Sequence, residues 1–253
     1  MAVVCLGLAL GCGEIGTDGE ADPHAGNRAL YDPDAPVAEL SREEAIRAVQ
    51  DMLRLWHQRK AIFRSHFLGV PTQQNPADAW IVQEIISEVK PDLIVETGTF
   101  KGGSAILWAT ILEHVNPEGR VLTIDIADQR TRRAKTLPIS RQRVDFLLGS
   151  SADPAVVAEV RRRAEGQRVL VLLDSLHTAE HVAKELAAYA PLVPVGSYVI
   201  VQDTPLDSYK AVEEFVAGNP GWEIDLDRER FAITNTMKGY LKRVSSDSPP
   251  EGG

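Results

Sequence analysis

The chain of 253 residues reads as an α/β protein: a mostly parallel sheet, helices on both faces, a closing antiparallel strand and a helical N-terminal extension. Three observations predict this. Apolar strand-like runs and helix-period segments alternate from Asp92 onward, the pattern of a parallel sheet. Val169-Leu170-Val171-Leu172-Leu173 and Tyr198-Val199-Ile200-Val201 are continuously apolar, as strands covered on both faces are. Polar residues follow both runs at once, Asp174 to His177 and Gln202-Asp203, at the carboxyl ends where open α/β sheets bind ligands.

The elements follow in order. Ser41-Arg42-Glu43-Glu44 has capping-box spacing, and Ile46, Val49, Met52, Leu53 and Trp56 recur at helical intervals, which predicts a helix over about 41–64. Turn formers fill 69–76. Ala79, Trp80, Val82, Ile85 and Ile86 then predict a second helix that stops before Pro91. These two helices are expected to cover one edge or face of the sheet. Strands are expected at 93–95, 120–126, 144–148, 169–173 and 198–201, and helices at 104–114, 154–164, 179–189 and 208–217. The last apolar stretches, 222–226, 231–234 and 239–244, suggest a closing antiparallel pair, and 245–253 reads as a disordered tail. Residues 37–244 thus form one expected catalytic domain with no internal repeat.

Composition narrows the function. With 44% hydrophobic residues the chain can bury a substantial core, and its net charge of -9 argues against broad nucleic-acid binding, which needs a basic face. Both cysteines, Cys5 and Cys12, lie in the first dozen residues, so the body has no thiol for a disulfide, a zinc site or a nucleophile. Residues 1–13 are apolar and small, like the hydrophobic part of a secretory signal, and Ala9-Leu10-Gly11-Cys12 resembles a lipoprotein cleavage box without a basic region before it. Two readings stand: an exported lipoprotein anchored to the membrane at Cys12, or a cytoplasmic enzyme with a mispredicted leader. Residues 13–36 read as a tether under either.

The chemistry centres on strand ends. Glu96-Thr97-Gly98-Thr99 follows a strand, and its glycine lets the backbone turn tightly against a ligand such as a nucleoside; the alternative is a glycine that shapes the turn and nothing more. The spacing of Gly98, Gly102 and Gly103 differs from the G-x-G-x-x-G dinucleotide motif. Asp125 ends the next strand, where a carboxylate accepts hydrogen bonds from ribose hydroxyls or caps a helix. Gly149-Ser150-Ser151 is placed to border an adenine or to make a simple turn. Asp174, Gln202 and Asp203 offer oxygen ligands, a set that suits magnesium over zinc, unless the acids cap the following helices. His177 is either a base or a loop histidine.

Taken together, Pro71-Thr72-Gln73-Gln74-Asn75-Pro76, Val95-Glu96-Thr97-Gly98-Thr99, Gly102-Gly103-Ser104, Gly149-Ser150-Ser151, Leu173-Asp174-Ser175-Leu176-His177 and Val201-Gln202-Asp203-Thr204 resemble the cephalosporin hydroxylase and rhamnosyl O-methyltransferase family. The similarity extends to Asp227-Arg228-Glu229-Arg230-Phe231 and Gly239-Tyr240-Leu241, so that it spans about 50–244. It implies a Rossmann-like class I methyltransferase sheet that uses S-adenosylmethionine and magnesium. By position, Glu96, Gly98 and Asp125, with Gly102 in the same turn, would hold S-adenosylmethionine, and Ser150 and Ser151 would lie near its adenine. Asp174, Gln202 and Asp203 would face the metal.

Two positions depart from that family, which usually has an acid where Leu176 stands and a glutamate where Gln202 stands. The related catechol-type enzymes are similar in using two acids and one amide, and their base stands three residues after the first aspartate, here His177; imidazole as a residue type is a suitable base near neutral pH. The implied activity is magnesium-assisted O-methylation of a sugar, glycolipid or secondary-metabolite hydroxyl. Neither an iron-binding histidine triad, a flavin motif nor a reactive cysteine supports hydroxylation. The rival expectation is an exported ligand-binding lipoprotein on a degenerate methyltransferase fold. The helices before Pro91 are expected to serve as a lid or an interface, and a homo-oligomer is a further expectation.

Overall fold

The computed structural model describes residues 41–246. The leader and tether expected over 1–36 lie outside the described residues, as does the expected tail apart from Ser245 and Ser246. The chain divides into two compact units, Met1–Ala45 and Ile46–Gly253. In the described part of the first, Ser41 Oγ donates to Glu44 Oε2 at 2.6 Å and Glu44 N donates back to Ser41 Oγ at 3.3 Å, the expected capping box. It opens helix α1, Arg42–Gln58.

In the second unit a short hairpin, β1 (His66–Phe67) and β2 (Val70–Pro71), leads into α2 (Pro76–Val89), whose Asn75 cap accepts from Ala77 N at 2.9 Å. The alternating units follow: β3 (Leu93–Thr97), α3 (Gly103–Val115), β4 (Arg120–Asp125), two short helices α4 (Arg132–Thr136) and α5 (Pro138–Arg143), and β5 (Val144–Leu148). Next come α6 (Pro154–Ala164), β6 (Val169–Leu173), α7 (Ala179–Tyr189), β7 (Tyr198–Val201) and α8 (Tyr209–Gly218), and then β8 (Trp222–Ile224) and β9 (Tyr240–Arg243).

The seven-stranded sheet runs β5-β4-β3-β6-β7-β9-β8. Its first five strands are parallel, and β9 pairs antiparallel with both β7 and β8. Alternate side chains of each buried strand enter opposite layers. Val95, Leu122, Val171 and Val199 pack with α6 and α7 residues such as Val160 and Leu186. Ile94, Val121, Leu170 and Ile200 pack with Ile85, Ile86, Trp108 and Leu112 of α2 and α3. Chain order reverses at β3, with β4 on one side and β6 on the other, so their carboxyl ends open a crevice there.

Three expectations are corrected. The first helix stops at Gln58 and not near 64, because Lys60 turns into the left-handed region (φ 51°) and a separate 3-10 turn, Ile62–Arg64, follows. Residues 231–234 form no strand: Asp78 accepts from Thr234 Oγ1 and, at 2.8 Å, from Asn235 N, which folds that stretch into a loop against α2. The hairpin β1-β2 and the helices α4 and α5 also arise where turns or no element were expected.

Candidate active site

Backbone geometry builds one half of the site. Gly98, directly after β3, has φ +90°, and a Cβ there would stand 1.9 Å from the carbonyl oxygen of Asp174. No side chain fits where the ends of β3 and β6 converge. Asp125, at the end of β4, fixes the same turn by accepting from Thr99 N at 3.1 Å and Phe100 N at 2.8 Å through Oδ2. The turn, Asp125 and the loop after β5 enclose a cavity of about 600 Å³. Gly98, Asp125, Ser150, Ser151, Asp174, His177 and Asp203 all line it.

Three residues named for the site do not line this cavity. Glu96 lies behind the turn at 1% exposure, accepting from Trp108 Nε1 at 3.0 Å and Thr123 Oγ1 at 2.6 Å. Burial pushes its carboxyl up to about 7 against the hydrogen bonds it accepts. Gly102 (φ +86°) caps α3 from outside the cavity. Gln202 is buried and turned toward Gln74: each amide donates its Nε2 to the other's Oε1 at 2.9 Å. Its oxygen accepts from the same Gln74 Nε2 that donates to Asp174 Oδ2, and Gln202 lines a neighbouring cavity together with Asp174 and Asp203.

The other half of the site is a cluster of two acids and an imidazole. One ligand atom each from Asp174, His177 and Asp203 lies within 4.8 Å of the others. His177 Nε2 stands 3.5 Å from Asp203 Oδ2 and 3.9 Å from Asp174 Oδ1. Asp174 arrives on the end of β6, and Asp203 just past β7 adopts φ 51°, a left-handed conformation that aspartate tolerates better than most residues. Burial, reinforced by the charges of Asp203 and Glu96, holds the Asp174 carboxyl well above the usual range. Two hard carboxylate oxygens suit a divalent cation such as magnesium, and a cation would relieve this repulsion.

Sequence reasoning assigned no role to two residues that shape the cluster. Gln74 donates its Nε2 to Asp174 Oδ2 at 3.0 Å, and Asn235 donates to Asp203 Oδ1 at 3.1 Å. Each aspartate thus has one oxygen tied to an amide and the other directed at His177. Gln74 lies within the Pro71–Pro76 stretch, but no local pattern announces a contact across 100 positions. Leu176, in the position of the missing acid, lines the cavity at 56% exposure. Deeper in the wall, His181 Nε2 lies 3.1 Å from Ser151 Oγ and 3.4 Å from the buried Glu185, which raises the pKa of His181.

The family model described as Rhamnosyl O-methyltransferase/CmcI matches residues 59–244. Rhamnosyl O-methyltransferase of Mycobacterium bovis is 29% identical over 216 residues, covering 78% of this chain and 85% of that protein. Its Mycobacterium leprae counterpart is 29% identical over 192 residues, covering 70% and 82%. Among solved structures, apo CmcI superposes with a TM-score of 0.59 at 17% identity, over 73% of this chain and 78% of the other. A CmcI structure with Mg and SAM gives 0.58 at 16%, over 92% and 89%. At that identity the structural likeness establishes the class I methyltransferase fold, and the family match, which spans well over half of the chain, establishes kinship: this chain belongs to the rhamnosyl O-methyltransferase/CmcI family.

Proposed function

We propose that the protein is an S-adenosylmethionine-dependent O-methyltransferase that methylates a hydroxyl of a sugar, glycolipid or secondary metabolite with the help of a magnesium ion. The class of reaction follows from family membership. One observation carries the finer reading: Asp174, His177 and Asp203 converge on the rim of a cavity that a tight glycine turn and Asp125 enclose. S-adenosylmethionine supplies a methyl group on an electrophilic sulfonium, and magnesium supplies positive charge that acidifies an oxygen beside it.

The chain's own residues supply the rest. Gly98 would leave room for the cofactor to approach the backbone, Asp125 would accept from ribose hydroxyls, and Ser150 and Ser151 would border the adenine. Glu96 acts as a positioning residue: Thr123 Oγ1, to which it is bonded, pairs with Thr99 Oγ1 at 2.7 Å and so braces the turn. Asp174 and Asp203 would hold the cation, each steadied by its amide. His177 takes the proton of the acceptor hydroxyl at Nε2. Much of the acceleration is the holding of two reactants in register.

Calorimetric titration of the full chain with S-adenosylhomocysteine tests the cofactor site, and micromolar binding is expected. Methyl transfer from labelled S-adenosylmethionine, with magnesium and after chelation, tests the cation. Turnover that chelation leaves intact would remove magnesium from the mechanism, and a His177→Ala variant as fast as the parent would remove the base.

A further inference from the structure

The tip of the β1-β2 hairpin is not what backbone chemistry alone would choose. Its two loop residues, Leu68 and Gly69, have φ of 49° and 77°, the turn that favours asparagine followed by glycine. A leucine stands first instead, in a left-handed conformation and 47% exposed. Phe63, in the 3-10 turn just before the hairpin, is 56% exposed. Charge around this tip has one sign. Of the chain's 27 lysines and arginines, nine stand in residues 59–71 and 129–143, and none of its 36 acids does. The two segments touch: Arg133 donates its Nε to the Leu68 carbonyl, and Val70 shares a small core cluster with Ala134 and Ile106. Asp128 neutralises Arg130 and Lys135, each at 2.8 Å, and the Nε of Arg143 is buried. Arg59, Lys60, Arg64, Arg132, Arg133 and Arg141 remain exposed.

We propose that the hairpin tip, the 3-10 turn before it and helix α4 form a peripheral docking surface for an anionic phospholipid bilayer. The exposed bases meet the headgroups, and Leu68 and Phe63 enter the interface beneath them. Bases interleaved with uncovered apolar side chains match a negative surface laid over hydrocarbon. A nucleic-acid backbone would engage the bases and leave Leu68 in water. The rest of the chain holds all of the acids, so a negative surface selects this face by charge. Among the described residues no helix is long and apolar enough to cross a membrane, and the contact is peripheral. Pro71 at the end of β2 and Lys101, whose carbonyl accepts from Thr131 N at 3.3 Å, line the cavity enclosed by the glycine turn, so the docking face borders the mouth of that cavity.

The test sediments the full chain with vesicles of phosphatidylcholine alone and of phosphatidylcholine mixed with phosphatidylglycerol. Binding to the mixed vesicles is expected to be at least about tenfold tighter in about 0.1 M salt, with that preference lost near about 1 M. Reversing two exposed bases together, Arg64→Glu and Arg132→Glu, is expected to abolish the preference. Leu68→Asn is expected to weaken binding to the mixed vesicles about fivefold, while the thermal midpoint holds or rises because asparagine suits the turn. Equal binding to both kinds of vesicle, as an uncharged leader inserting by itself would give, would overturn the proposal. So would a preference that survives the charge reversals, Leu68→Asn binding as the parent does, or retention on heparin with no binding to vesicles. Sedimentation needs neither cofactor nor turnover, so the outcome is independent of the methyltransferase reading.

Discussion

The two cavities that meet at Asp174 and Asp203 are built by opposite means. The larger is walled by backbone: a glycine turn with no room for a Cβ, amides fixed by Asp125, and strand ends pinned by the sheet. The smaller is walled by side chains from α1, the 3-10 turn and two loops, several of them exposed. A backbone wall tolerates little sequence change and suits a ligand that stays constant. A side-chain wall is altered one residue at a time. The acids between them belong to both.

The comparison breaks first at its most rigid point. Gly98→Ala puts a methyl group against the Asp174 carbonyl at a positive φ, so a loss of about 3 kcal/mol or more in urea unfolding is expected, together with loss of S-adenosylhomocysteine binding. A variant that keeps parental stability would show that the turn is looser than the geometry says. Asp174→Asn tests the shared border. Because the cation-free protein holds this carboxyl well above its ordinary pKa, its ionised form opposes folding at neutral pH. Asn is therefore expected to raise the thermal midpoint without magnesium while methyl transfer falls by at least about 100-fold. A lower midpoint would contradict the electrostatic account.

Gln202→Glu sharpens the view that this amide is structural. Its partner Gln74 would then face a carboxylate with a carbonyl oxygen, so a loss of about 1–3 kcal/mol is expected, measured in chelator. If magnesium restored the loss in full, the new carboxylate would be reaching the cation and the amide pair would be dispensable. The smallest effect concerns Glu96, behind the backbone wall. Burial raises its folded pKa to about 7 from the ordinary 4.5, so its ionisation opposes folding: stability from this group is complete below about 4.5 and declines as pH rises to about 7. Glu96→Gln is expected to flatten that slope in unfolding curves taken between these values. An unchanged slope would assign it to other groups.

The backbone-walled half was legible in sequence because its signals are local. Val95 to Gly98, Val121 to Asp125 and Val169 to Asp174 each carry a strand and its terminal polar residue in one stretch, and the parallel sheet then brings the three ends together. The side-chain half was not. Gln74 meets Gln202 across 128 positions and Asn235 meets Asp203 across 32, and neither contact has a period or a spacing to betray it. The stretch 231–234 looked like a strand because it is apolar, and it became a loop because buried Asp78 captured Thr234 and Asn235.

By itself the sequence determined the alternation of strands and helices, the glycine at the turn and the order in which Asp125, Asp174, His177 and Asp203 emerge, since these depend on periodicity and on conformational freedom within a few residues. Only the tertiary structure decided which oxygens are free. It tied one carboxylate oxygen of each aspartate to an amide, paired the Gln202 side chain with Gln74, and set Glu96 in a dry layer beneath the turn. The physical reason is that hydrogen bonds and burial are properties of neighbours in space, and the sheet assembles those neighbours from segments that lie far apart along the chain.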